Sequence, residues 1–130
     1  MREITISTLI IVFIIVSGIA VQKYLVKSSE DLIKDLKDLK QELIRNKETK
    51  NIARIKEKLE EVIKNWEDKE KVWATIIMHE ELDNIEVSLL TLKSYAENEE
   101  IADALSELEK SIFWIGHITE KEDFKIKNIF

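Results

Sequence analysis

Residues 4–22, ITISTLIIVFIIVSGIAVQ, form an uncharged run of 19 residues in a chain of 130. As a helix this run is about 28 Å long, close to the roughly 30 Å hydrocarbon core of a bilayer. A soluble core helix apolar on every side does not suit so small a chain, which has one domain's worth of residues to bury it. The competing reading is a cleaved signal peptide, with Arg2 before the run and Gly18 and Ala20 at the small positions of a cleavage site. The uncleaved anchor, residues 1–24, is preferred. The run is of full spanning length, and amphipathic helix follows it almost at once.

Two arguments about orientation conflict. A short N-terminus before a single apolar run behaves as a signal anchor and leaves the C-terminal domain outside the cell. Counting basic residues favours the reverse, because only Arg2 precedes the run while Lys23, Lys27, Lys34 and Lys37 follow it. The extracytoplasmic arrangement is the one expected, in a single-pass protein of the cell membrane.

The rest of the chain reads as helix. With two glycines, no proline and 35% charged residues there is almost no turn chemistry for a β fold. Leu25, Leu32, Leu36, Leu39 and Leu43 make a narrow seam of the coiled-coil kind. Ser28 and Asp31 have capping-box spacing, so either a helix starts at Ser28 or the anchor continues with a slight kink. Asn46 to Thr49 supply an early break. Ile52, Ile55, Leu59, Val62, Trp66 and Trp73 form the next seam. In the stretch 73–96, Met78, Leu82, Ile85, Leu89, Leu92 and Ala96 form another, out of phase with the one before. A break or bend is expected within residues 65–70, since an uncapped helix over 49–96 is very long for this domain.

A second row, Val72, Ile76, Val87 and Leu90, gives the 73–96 helix two apolar faces and marks it as the middle of a bundle. Asn98 is the expected N-cap of a final helix with the seam Ile101, Leu105, Leu108, Ile112 and Ile115. In residues 124–130 the pattern turns to alternation, and Phe124, Ile126 and Phe130 are expected to dock on the bundle. The expectation is all-α: an N-terminal transmembrane helix, then an antiparallel bundle of three or four helices over 25–130, with a short tail at 124–130.

Charge is uneven. Residues 23–71 carry 14 basic and 12 acidic side chains, whereas residues 72–130 carry 5 and 13. An acidic distal half disfavours nucleic acid as a partner. With no cysteine there is no disulfide, thiolate metal site or thiol nucleophile. No phosphate loop, nucleophile elbow or pair of catalytic acids can be read, so no enzymatic activity and no cofactor are expected.

The only constellation with chemical interest is His79, Asp83 and Glu86 with His117 and Glu120. Facing helices of bundles do build metal sites from such groups. If the chain turns about Asn98, both histidines fall at one height, yet helical phase sends His117 to the back face with Phe113. No catalytic, cofactor or metal residues are therefore assigned, and the five remain low-ranking metal candidates. His79 and Asp83 are expected to be partly buried in the second apolar row and bonded to a neighbouring helix. Tryptophans 66, 73 and 114 stand at core or interface spacing rather than forming a ligand platform.

The N-terminal span, the segment W-x5-HEELDNIE over residues 73–86, a late GHITEKE and the final NIF resemble a family of short single-pass membrane proteins of Gram-positive anaerobes. Its domain has no assigned function. The resemblance implies a membrane anchor with a helical domain and adds no mechanism. The expected role is a membrane-anchored interaction or accessory module. Its partners are the lipid membrane and another membrane protein, or a second copy of itself. The alternative is a small ligand- or metal-sensing bundle centred on His79.

Overall fold

The computed structural model describes residues 1–49 and 51–129, without the side chains of residues 48, 49, 123–126 and 129. Four helices account for nearly all of it: α1 (Arg2–Thr49), α2 (Ile52–Trp73), α3 (His79–Glu97) and α4 (Ile101–Ile129). The chain is all-α, as the periodicities require. Each helix packs on two neighbours, in the order α1, α2, α3, α4 and back to α1, with no diagonal packing among the described residues. No helix occupies the middle. That corrects the expectation of a central helix at 73–96, and the reason is geometric: in a ring of four, each helix keeps one face outward.

The seams find each other. Leu25, Leu32, Leu36, Leu39 and Leu43 of α1 are buried, as are Ile55, Leu59, Val62, Trp66 and Trp73 of α2. On α3 the buried row is Leu82, Ile85, Leu89, Leu92 and Ala96, with Ser88 beside it. On α4 the buried line is Ala104, Leu108, Ser111, Ile115 and Ile118. Ile101, Leu105 and Ile112 are only partly buried. The shift arises because α4 is wedged between α1 and α3, so its small residues sit deepest and let the helices approach. Burial of this one core is the main force holding the bundle together.

α1 is unbroken through residue 28. Ser28 is no cap: its hydroxyl donates to the Leu25 carbonyl at 3.2 Å and accepts from Trp73 Nε1 at 2.9 Å. The first turn falls where expected, with Asn51 capping α2 through a 3.4 Å acceptance from the Arg54 amide. The second lies later than expected. Asn65 is inside α2 and donates to Asp35 of α1 at 2.8 Å, and the helix runs on to Trp73. Trp66 and Trp73 meet edge to face at 5.7 Å, and Ile77 tucks the following turn under the core. The break thus follows the change of apolar phase, at residues 74–78.

The third turn also differs. Asn98 ends α3 rather than starting α4, and Glu99 takes the left-handed conformation at φ 61°. Glu100 N–H donates to the Tyr95 carbonyl at 2.9 Å and Glu99 N–H to Ala96 at 3.2 Å, the paired bonds of a Schellman turn. Through residue 129 the backbone stays helical, so the alternation in the tail does not make a strand. The side chains of Phe124, Ile126 and Phe130, expected to dock, lie outside the described residues.

The start of α1 is long and apolar enough to cross a membrane, and its apolar window makes no contact that buries it.

Candidate functional site

The five residues singled out from sequence do not form one site. His79 is the first residue of α3 and is exposed, and so is Asp83 one turn on; Glu86 is half-buried. The expected burial of His79 and Asp83 is corrected, because the row they share with Val87 and Leu90 faces outward. Val87 is 62% exposed and Leu90 53%. His117 and Glu120 are exposed on α4. His117 stacks on Phe113 at 5.8 Å and meets the edge of Trp114 at 6.3 Å. This is the back-face position that helical phase gives it.

Where α2 turns into α3, a group missing from the sequence reading joins the first three. Glu70, near the end of α2, has its carboxyl pushed above the ordinary range, first by burial and then by the charges of Glu86, Asp83 and Glu67. His79 acts in the opposite sense. The sequence pattern does not bring Glu70 to this corner, because it falls inside the break expected at 65–70, whereas α2 continues to Trp73. Four carboxylates thus crowd one corner and repel one another, and the His79 imidazole partly offsets that repulsion. Among the described residues, no group of three or more histidine, aspartate or glutamate side chains is placed to hold a metal ion.

On the other side of α3 the charges are paired. Glu81 accepts from Lys121 of α4 and holds its ammonium above the usual lysine range. Lys40 of α1 bridges to Glu109 of α4. Far from the apolar run, Glu42 is buried against Arg54 at 3.2 Å and Arg45 at 3.6 Å, and Asn46 donates to its carboxylate at 3.1 Å. These bonds set the register between helices.

What the bundle leaves outward is an apolar and aromatic face on α3 and α4. A shallow groove between them is bounded by Asp83, Val87, Thr91, Glu107, Lys110 and Trp114. Phe113, 61% exposed, stands beside it. Such a face can bind a partner and offers no enclosed chamber for chemistry.

Comparison with known families gives a match to the model of a domain of unknown function, DUF4363, over residues 19–129. The chain belongs to that family. The match covers the whole of the bundle and starts inside the apolar run. No curated protein and no solved structure matches the chain.

Proposed function

We propose that this member of the DUF4363 family is a single-pass, membrane-anchored interaction module rather than an enzyme. Its bundle is held outside the cytoplasm and docks on another membrane protein. The observation that carries this reading is the outward α3–α4 face, where Val87 and Phe113 are each more than half exposed on either side of Trp114. Exposed apolar residues gathered on one face of a small bundle have a use in binding that isolated ones do not. Of the charged groups at its rim Glu107 is already bridged to Lys110 at 3.0 Å, which leaves Asp83 to favour a basic residue on the partner beside an apolar centre.

A photoreactive amino acid placed at Phe113 or Val87, with Glu57 on α2 as a control, tests the docking face in native membranes. Dominant crosslinks to one membrane protein from positions 87 and 113, absent from 57, are expected. Equal labelling from all three positions contradicts the assignment. Orientation is read separately. Glu57→Cys should react with an impermeant thiol reagent on whole cells, and protection until the membrane is opened places the bundle inside.

A further inference from the structure

The register of the bundle fixes how far its lower end stands from the apolar run. Trp73 at the end of α2 is bonded to Ser28 of α1, so the two are level. Ser28 is six residues beyond Gln22, the last residue of the uncharged run, or about 9 Å along the helix. α1 is continuous helix over that interval, with no stalk between run and bundle. α4 runs antiparallel to α1, and the Lys40–Glu109 bridge sets those residues level. Eighteen steps along each helix then bring Lys127 level with Gln22.

Headgroups occupy about 5–7 Å on each side of the hydrocarbon. The turn at 74–78 continues past Trp73 toward the run, so if residues 4–22 span the bilayer it reaches down from the 9 Å level into this layer. Its composition fits that place. Met78 stands where a helix N-cap is expected, is 62% exposed and makes no side-chain cap bond. In water that position favours serine, threonine, aspartate or asparagine. Val72 is also exposed at the end of α2. Tyr24, 39% exposed, lies just past the run, at the depth of an interfacial aromatic belt. Lys23 and Lys27 are exposed on the same turns of α1. Against the lysines stand Glu80, exposed beside the turn, and the acidic corner of Glu67, Glu70, Asp83 and Glu86, whose Glu70 lies nearly one helical turn farther from the run than Trp73, whereas Glu81 is bridged to Lys121.

We propose that the turn at residues 74–78, led by Met78 and flanked by Tyr24, Lys23 and Lys27, is a lipid-contact surface that seats the bundle in an anionic headgroup layer. This rests on reading residues 4–22 as a span. Methionine enters the boundary between headgroups and acyl chains, while lysines meet lipid phosphates, each adding a modest electrostatic attraction.

The chain has no native cysteine, so single cysteines report cleanly. Full-length Met78→Cys and Thr75→Cys, with Ala53→Cys at the opposite end as control, are labelled with a polarity-sensitive fluorophore. They are then reconstituted in vesicles of phosphatidylcholine, with or without phosphatidylglycerol, that carry a nitroxide headgroup quencher. Quenching at 78 and 75 several-fold above that at 53 is expected. The excess should grow with phosphatidylglycerol and shrink in a Lys23→Glu, Lys27→Glu background. Equal quenching at all three positions, in protein that floats with the vesicles, overturns the lipid-contact surface and leaves the span standing. Protein that does not float overturns both.

Discussion

The two ends of the bundle reverse an antiparallel chain with opposite chemistry. Away from the apolar run, Asn51 caps α2, a Schellman turn closes α3, and Glu42 is ringed by Arg45, Asn46 and Arg54. Near the run, Met78 precedes α3 with no cap bond, and the turn is fixed by two buried apolar side chains, Trp73 and Ile77. Local polar bonds in water are individually weak, because water competes for them. A large buried side chain is worth more. The near end should therefore be the costlier one to disturb.

Trp73→Ala is expected to give the largest loss, about 3–5 kcal/mol from the cavity and the missing burial. Asn51→Ala at the far end should cost only about 0.5–1 kcal/mol. Urea unfolding of the full chain in detergent micelles, followed by circular dichroism, compares the two. Equal losses would erase the difference between the ends.

A finer contrast lies within the near end. Trp73→Phe removes the donor to Ser28, whereas Trp66 Nε1 is buried with no hydrogen-bond partner among the described residues. The phenylalanine variant at 73 should thus lose about 1–3 kcal/mol more than the one at 66. The same unfolding experiment reads this, and the reverse order would remove the Ser28 bond from the account of the turn.

At the far end, Glu99 bears a side chain in a left-handed conformation that disfavours one. Glu99→Gly should stabilise the bundle by about 1 kcal/mol, seen as a higher urea midpoint.

The smallest effect belongs to the acidic corner. Glu70 binds its proton more tightly folded than unfolded, so its contribution to stability falls as pH rises from the ordinary carboxylate range through its raised value. Glu70→Gln should stabilise by up to about 0.5 kcal/mol at neutral pH, with the gain disappearing in acid. A gain independent of pH would point to packing instead.

Much of this fold is legible in the sequence, because the leucine and isoleucine seams have helical spacing and no glycine or proline interrupts them. The turn at 74–78 was harder. Its only local sign is the change of phase between Trp73 and Met78, while Asn65 and Lys69 offer a more conventional but false break. Asn65 is instead a cross-helix donor, which no local pattern announces. The outward facing of Val87 and Leu90 was hidden for a related reason: an apolar row says that a face avoids water, and says nothing of whether this chain covers it. The separation of His117 from His79 was visible in helical phase. Glu70 beside Asp83 and Glu86 depended on where α2 turns.

That residues 1–24 stay attached and hold the bundle at a membrane is tested most directly on the native protein. Membranes are washed with alkaline carbonate, and the retained chain is measured as an intact mass. Full retention in the membrane pellet, with a mass that includes the whole of residues 1–24, is expected. A soluble protein whose N-terminus is Val21 would contradict it.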